Sequence, residues 1–172
     1  MIGTRRRGAA IAGAVLVLAV ALRAMAAAVP AVTTIHDAAP LKKAIAAHKG
    51  SVVVVNFWAT YCGPCVQEFP ALVKLQHAHR NGLTLITVSQ DSPKDVGHKV
   101  KPFLARQHAD FPQFLLDTRD PDGFIDAMDP TWHGNLPRTL VYDRTGRLVK
   151  SLSAGQTTAT LEAAVRPLLA AR

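Results

Sequence analysis

The two cysteines of this chain stand three residues apart, within the stretch FWATYCGPCVQEFP that runs from Phe57 to Pro70. They are Cys62 and Cys65, and Gly63 and Pro64 separate them. Two cysteines at this spacing can form a structural disulfide, supply half of a metal site, or act as a redox couple. The rest of the sequence distinguishes these three uses.

A metal site would need ligands from elsewhere in the chain. Structural zinc takes four ligands, and a Cys-x-x-Cys pair supplies only two of them. The histidines show no paired ligand spacing, because His77 and His79 lie two residues apart on a predicted helix and point to different faces. Haem attachment requires a histidine directly after the second cysteine, where this chain has Val66. We therefore expect no metal and no cofactor.

A structural disulfide is a weak interpretation for a different reason. The stabilisation that a disulfide provides grows with the length of the loop it closes, and Cys62 and Cys65 enclose only two residues. A domain of about 140 residues can also bury its own core without such a bond. The sequence therefore favours a redox couple.

The residues around the pair support thiol chemistry. The run SVVVVNFW, from Ser51 to Trp58, predicts a strand that is buried on both faces, and a helical pattern begins at Pro64. Cys62 then falls at a helix N-terminus, where unpaired N–H groups and the helix dipole stabilise a thiolate. Cys65 lies one turn later and is placed to attack a mixed disulfide that Cys62 forms with a substrate.

The elements that position the cysteines alternate along the chain. A short helix over Leu41–His48 precedes the buried strand, a helix over Pro64–Arg80 follows the cysteines with a kink expected at Pro70, and LTLITVSQ predicts a strand over Leu83–Gln90. Strand, helix and strand in this order indicate parallel pairing with a right-handed crossover.

The second half adds a further helix and strand and then a hairpin. A helix to about Gln107 and a strand over Gln113–Asp117 are expected, whereas TRDPDG is turn sequence and residues 124–135 show no clear pattern. Strands over Arg138–Asp143 and Arg147–Ser153 flank a tight turn, and a final helix begins near Thr157. The fold class is α/β, with a mixed central sheet between helices.

The helix before Gln107 carries several basic residues, among them Lys94 and Lys101, mostly on the side opposite its apolar residues. A solvated face explains this arrangement best, and a partner-docking patch is the alternative. The chain has no dense run of Lys and Arg, so the composition does not indicate a nucleic-acid partner.

The N-terminus has the order of a targeting segment. Arg5 to Arg7 precede an uncharged run from Gly8 to Leu22, and Ala24-Met25-Ala26 fits a signal peptidase site. This order predicts a secretory signal peptide over residues 1–26. An uncleaved membrane anchor is the alternative, although Arg23 ends the apolar run before the roughly 18 residues that a spanning helix needs.

Beyond the leader we expect a spacer over residues 27–39 and one domain over residues 40–172. The net charge falls from +8 to +4 when the four arginines of the leader are removed. The basic character of the chain is therefore partly a property of its targeting segment.

Several segments together resemble a known family. VVVVNFWATYCGPC, followed by Pro70 five residues after Cys65, resembles the active-site strand and kinked helix of the thioredoxin fold. More narrowly, NFWATYCGPCVQEFP is similar to the exported TlpA/ResA-like thiol-disulfide oxidoreductases, including those of the CcmG/DsbE type. LPRTLVYDRTGRLV resembles the family's cis-proline segment and hairpin. The resemblance implies a thioredoxin-like fold with an extra helix and strand inserted between Gln90 and Pro137.

The resemblance also assigns roles to particular residues. It implies that Cys62 is the nucleophile, that Cys65 is the resolving thiol, and that Pro137 is a cis-proline packed against their disulfide. It further implies a substrate-binding surface around the cysteines, to which the backbone of Leu136 contributes hydrogen bonds. The other residues of that surface are Trp58, Tyr61, Gly63 and Pro64.

Two departures from related sequences are informative. Cytoplasmic thioredoxins carry a buried aspartate where this chain has Asn56, and an amide cannot act as a general base. Glu68 lies one helical turn after Cys65 and is the candidate that tunes the cysteine pair; a surface glutamate is the alternative. Tyr61 stands where the family usually has Trp, which changes the surface for partner docking.

The function that follows is reduction of protein disulfides in the periplasm, by a monomer that is soluble or anchored through its N-terminus. The resemblance implies apocytochrome c as a possible substrate and a DsbD/CcdA-type membrane protein as electron donor. A thiol peroxidase is one alternative, although Val55 and Ala59 stand where the peroxiredoxin motif has Pro and Thr or Ser before the cysteine. A non-catalytic redox-sensing binding module is another.

Overall fold

The computed structural model describes residues 31–171. The expected signal peptide or anchor, residues 1–26, lies outside this range, as do the first residues of the expected spacer. Within the described range the elements in chain order are β1 (Val32–Ile35), α1 (Ala38–Ala47), β2 (Val52–Trp58), α2 (Gly63–His79), β3 (Leu83–Ser89), α3 (Lys101–Arg106), β4 (Gln113–Leu116), α4 (Pro121–Met128), β5 (Arg138–Tyr142), β6 (Leu148–Ser153) and α5 (Thr158–Ala170).

The six strands form one mixed sheet in the order β1-β4-β3-β2-β5-β6. Strands β1 to β4 pair in parallel, whereas β5 is antiparallel to both β2 and β6. The β2–α2–β3 unit and the β5–β6 hairpin are therefore confirmed, and with them the α/β fold class. Gly146 takes a φ of +84° in the hairpin turn, a conformation that glycine adopts without strain.

The central strand β2 explains how the layers are arranged. All seven of its residues are buried, so successive side chains enter two separate apolar clusters. Val54 and Trp58 pack on one face, against α2, α3 and α5. Val55 and Phe57 pack on the other face, against α1 and α4. Helices therefore cover both faces of β2, and the cysteines follow the carboxyl end of this strand.

Three elements differ from the sequence-based expectations. Strand β1 lies inside the expected spacer and pairs with β4, so the sheet begins before residue 40. Helix α4 begins at Pro121, inside TRDPDG, because the Asp120 side chain accepts a hydrogen bond from the Gly123 N–H and caps the helix. The helix expected before Gln107 is a 3₁₀ turn and a π-helical turn that lead into α3.

A buried ion pair fixes the loop between α4 and β5. Asp129 follows α4 and Arg138 begins β5, and the Arg138 Nη2 lies 2.6 Å from the Asp129 Oδ2. The same nitrogen donates to the Thr131 hydroxyl at 2.9 Å, and the Ser151 hydroxyl donates to Asp129 from β6. The loop of residues 129–137 is thus held at both ends.

The charge on Asp129 is stabilised by these contacts. Burial by itself would raise the pKa of this carboxyl, but hydrogen bonds from Ser151, Arg138 and Thr131 outweigh burial and hold the pKa well below its ordinary value of 3.8. The ionised form of Asp129 therefore contributes to stability above the unfolded-state pKa, and this contribution is lost as the pH falls toward the folded-state pKa.

Replacing Asp129 by Asn should therefore destabilise the fold strongly. Removing one partner of a buried pair leaves the Arg138 charge uncompensated, which costs about 3–5 kcal/mol. Urea denaturation at neutral pH measures this loss, and the variant should also lack part of the stability that the wild type loses below pH 3.8. The matched control is Arg166→Gln, which removes an exposed 4.0 Å pair with Glu162 and should cost about 1 kcal/mol or less. A loss no larger in Asp129→Asn than in the control would contradict the assignment.

Candidate active site

The two cysteines lie at the N-terminus of α2 and are joined in a disulfide. Cys62 is the N-cap residue, and its Sγ accepts the backbone N–H of Cys65 at 3.3 Å. The side chain of Cys62 is half-buried, whereas Cys65 is fully buried against the core. A partner can therefore reach the first sulfur and not the second.

The loop before Cys62 is anchored by a carboxylate that the sequence analysis did not single out. Asp91 is 2% exposed and accepts hydrogen bonds from the Thr60 N–H at 2.9 Å, from the Thr60 hydroxyl, and from the Ser89 hydroxyl at 2.7 Å. The signal was present in the sequence, since β2 and β3 are parallel neighbours and Thr60 and Asp91 each follow the carboxyl end of one of them.

Glu68 is a buried residue, with 3% of its surface exposed. Its Oε1 accepts a hydrogen bond from the Asn56 Nδ2 at 2.7 Å, and its Oε2 accepts the backbone N–H of Gln156 at 2.7 Å. Burial raises the pKa of Glu68, and the hydrogen bonds from Gln156 and Asn56 offset this only in part. The alternative of a surface glutamate is therefore wrong.

Asn56, on the central strand β2, is the partner of Glu68 from the sheet. Its side chain is fully buried on the α2 side of β2, and its Nδ2 also donates to the Thr139 hydroxyl at 3.0 Å, across the β2–β5 pairing. The Asn56 Oδ1 is buried without a hydrogen-bond partner among the described residues. The network thus joins β2, α2, β5 and the loop that follows β6.

Two further segments complete the candidate site. The Leu136–Pro137 peptide is cis, as the resemblance led us to expect, and Pro137 is buried. Trp132 closes its loop, because the indole N–H donates to the Asn135 carbonyl at 2.8 Å. On another side, a Cβ at Gly155 would lie 3.5 Å from the Pro64 carbonyl oxygen, so the loop after β6 packs directly on the turn between the cysteines.

The expected substrate-binding residues are distributed between surface and core. Gly63 and Pro64 are exposed, Leu136 is half-buried, and Tyr61 is 72% exposed with its hydroxyl 3.4 Å from the Gln90 carbonyl oxygen. Trp58 has to be corrected: it is fully buried and its ring packs against the aromatic rings of α2 and α3. It supports the site from the core and offers no surface to a substrate.

Within residues 31–171 the protein lacks two further features. In that range no three His, Cys, Asp or Glu side chains come together in a way that could hold a metal ion. No helix of the same range is long and apolar enough to cross a membrane.

A mixed sheet, a Cys-x-x-Cys disulfide at a strand–helix junction and a cis-proline loop define the class of thioredoxin-like proteins. The chain belongs to the AhpC/TSA family, whose family model matches residues 27–151.

Individual relatives are consistent with this class. The chain is 31% identical over 110 residues to the thioredoxin-like protein YneN of Bacillus subtilis, covering 64% of this chain and 60% of the relative. It is 30% identical over 115 residues to the thiol-disulfide oxidoreductase ResA of Halalkalibacterium halodurans, covering 66% and 60%. The chain thus spans about 60% of the length of these curated relatives. The identities confirm the resemblance to ResA-like proteins.

A solved structure supports the fold itself. A thiol:disulfide interchange protein of the thioredoxin family from Chlorobium tepidum superposes with a TM-score of 0.62 at 23% identity, covering 72% of this chain and 83% of that one. The thioredoxin-like fold class is therefore confirmed.

The buried position of Glu68 predicts a pH-dependent effect on stability. Because its pKa in the folded state is raised above the ordinary value of 4.5, the folded protein binds this proton more tightly than the unfolded chain does. The wild type should therefore lose stability as the pH rises from 4.5 through the folded-state pKa, and Glu68→Gln should lack that loss. Urea titrations of the oxidised proteins give the free energy of unfolding of each protein. The value for Glu68→Gln minus the value for the wild type should rise across this window and then level off.

The control is Glu162→Gln, which changes the other glutamate of the chain. Glu162 lies on α5, is more exposed than Glu68 and contacts His79 and Arg166. This variant should show no such rise. A constant difference between Glu68→Gln and the wild type across the same window would show that the Glu68 proton is not bound more tightly in the folded state.

Proposed function

We propose that this chain is a thiol-disulfide oxidoreductase that reduces disulfides in other proteins. The observation that carries the proposal is the unequal exposure of the two bonded sulfurs, with Cys62 half-buried and Cys65 fully buried. Exchange with a large partner needs one accessible sulfur to form a mixed disulfide and a second sulfur to resolve it. The name of the relative ResA, a thiol-disulfide oxidoreductase, supports the same activity.

In the reducing direction the reaction starts from the dithiol form. The Cys62 thiolate attacks one sulfur of the substrate disulfide, a bond between Cys62 and the substrate forms, and the other substrate sulfur leaves as a thiolate. The Cys65 thiolate then attacks the Cys62 sulfur, which forms the Cys62–Cys65 disulfide and releases the second substrate thiol. Two electrons pass to the substrate, and an external dithiol must reduce the protein again.

Glu68 is proposed to handle the proton of Cys65 during resolution. One helical turn separates the two residues, which places them on the same side of α2. Asn56 cannot take this role because an amide is not a general base. A raised pKa brings the Glu68 carboxyl closer to the pH range in which it can both accept and return a proton.

The surface around Cys62 is proposed to bind the substrate. The backbone of Leu136, beside the cis Pro137, would pair with an extended substrate segment, and the exposed Gly63 and Pro64 would lie beneath it. The proposed substrates are protein disulfides, with apocytochrome c as one case, and the proposed electron donor is a membrane protein of the DsbD/CcdA type. The proposed location is the periplasm, where the protein acts as a monomer.

Trapping tests the activity directly. Cys65→Ala should accumulate a mixed disulfide between Cys62 and its substrate, because the resolving thiol is missing. Non-reducing electrophoresis followed by mass spectrometry identifies the complex. The matched variant Cys62→Ala should trap far less, since Cys65 is fully buried. Equal trapping by the two variants would contradict the assigned roles.

The same assays distinguish the alternative functions. If the reduced wild type consumes hydrogen peroxide faster than it reduces insulin, the protein is a thiol peroxidase. If it exchanges slowly with every protein disulfide offered, although the Cys62–Cys65 couple is reversible, it is a redox-sensing binding module.

The proposed role of Glu68 is tested by single-turnover kinetics. Glu68→Gln should slow the step in which Cys65 resolves the mixed disulfide by about 10²- to 10⁴-fold, as expected when a proton-transfer group is lost. The formation of the mixed disulfide by Cys62 should change much less. An unchanged resolution rate and an unchanged thiol titration would rule out the role.

A further inference from the structure

A concave surface lies beside the cysteines, on the α3 side. It is a cavity of about 350 Å³ lined by Thr60, Val66, His98, Lys99, Phe103 and Arg106. We call this set of residues the basic pocket. Neither the reaction described above nor the contacts around Glu68 use it.

One wall of the basic pocket is the segment that carries the cysteines. Thr60 stands two residues before Cys62, and the N–H of Val66, directly after Cys65, donates to the Cys62 carbonyl at 3.1 Å. The Asp91 carboxylate fixes Thr60 through two hydrogen bonds. The pocket is therefore held at a fixed place next to the accessible sulfur.

The opposite wall is positively charged. His98, Lys99 and Arg106 are exposed. Residues 93–107 contain four Lys and Arg residues but only one acidic residue, Asp95. Asp95 contacts His98 at 3.1 Å and Lys99 at 3.2 Å, and exposed pairs of this kind are weak. A surplus of positive charge thus remains along this wall.

Three charges of this segment stay without an acidic neighbour. Among the described residues, no carboxylate lies within salt-bridge distance of Lys94, Lys101 or Arg106, whereas Arg147 after the β5–β6 turn and Arg166 of α5 each have one. Of these three side chains Arg106 lines the basic pocket, and a solvated face alone would not require a basic side chain there.

An exposed aromatic ring lies at the edge of this region. Tyr61 precedes Cys62 and is the large apolar side chain that the described part of the chain leaves exposed, at 72%. Its hydroxyl lies 3.4 Å from the Gln90 carbonyl, so the ring leans along the segment that leads from β3 to the basic wall. Exposed aromatic side chains of this kind are enriched at protein–protein interfaces.

We infer that the basic pocket and Tyr61 form a docking surface for an acidic segment of the protein that exchanges its disulfide with Cys62. The inference deepens the proposed function and rests on it for the identity of that partner. Charge complementarity beside the reactive sulfur would speed the encounter and orient the partner. A nucleic acid would supply negative charge but no disulfide, and a second copy of this basic chain would repel the pocket.

The experiment uses two peptides that differ only in charge. Each contains the same internal disulfide, flanked by Glu residues in one peptide and by Gln residues in the other. The reduced wild type should reduce the Glu peptide at least about tenfold faster at low ionic strength, and this preference should decline toward unity at about 0.5 M salt because exposed charges are then screened.

Two pairs of charge reversals locate the effect. Lys99→Glu with Arg106→Glu should abolish the preference for the Glu peptide, seen as a rate ratio of about one or less. Lys42→Glu with Lys43→Glu changes the net charge equally, but on α1 at the opposite face of the sheet, and should keep the ratio of the wild type apart from a small uniform change. If the first pair of reversals disturbs folding, as judged by circular dichroism, the neutral pair Lys99→Gln and Arg106→Gln replaces it.

A binding measurement separates this inference from the proposed function. Versions of both peptides with Ser in place of Cys cannot exchange disulfides, and fluorescence anisotropy reports their docking alone. Tighter binding of the Glu version, lost in Lys99→Glu with Arg106→Glu, supports the docking surface. If neither disulfide peptide is reduced, the oxidoreductase activity is overturned, but this binding result still supports the docking surface.

Several outcomes would overturn the docking surface. Equal rates and equal binding for the two peptides would do so, as would a preference that survives the reversal at Lys99 and Arg106. Tighter binding of a single-stranded DNA oligonucleotide than of the Glu peptide, or self-association that the same reversal abolishes, would assign the pocket to a different occupant.

Discussion

The hydrogen bond between Asn56 and Glu68 is the constraint on which the arrangement of the site depends. It places a carboxyl group in the buried layer between α2 and the sheet, beside the buried side chains of Asn56 and Thr139, where an unsatisfied polar group would be costly. Glu68 is satisfied by the Asn56 amide from β2 and by the Gln156 N–H from the loop after β6. The strand before the cysteines, the helix that begins with them and the loop after β6 must therefore meet at one point.

Much of the fold could be predicted because β2 and α2 have strong local patterns. The six apolar residues on either side of Asn56 predict a strand covered on both faces, and the structure buries all seven residues of this strand. Strand β1 could not be predicted in this way, since it is a four-residue edge strand with two exposed threonines. Helix α4 was missed because Asp-Pro-Asp-Gly is a turn sequence as well as a capped helix start, and only the burial of Phe124 and Met128 distinguishes the two.

The site was predictable where chemistry and local position coincide. Cys62 and Cys65 follow from spacing and from the strand–helix junction, and their different exposure agrees with their expected order of reaction. The partners of the buried carboxylates were not predictable, because Gln156 reaches Glu68 through its backbone and Asp91 meets Thr60 only through strand register. Trp58 was wrongly assigned to the substrate-binding surface, because a residue close to the Cys-x-x-Cys motif in sequence need not share the exposure of that motif.

Three buried carboxylates each fix one segment of the candidate site. Asp91 holds the loop before Cys62, Glu68 holds the loop after β6, and Asp129 holds the loop that leads to the cis-proline through its pair with Arg138. Each carboxylate is satisfied inside the fold, so none of them offers a negative charge to a partner. The charge that an approaching protein meets near the disulfide is instead the positive wall of the basic pocket. Rigidity of the site and selection of its partner are thus assigned to different residues, and selection can change without disturbing the thiol chemistry.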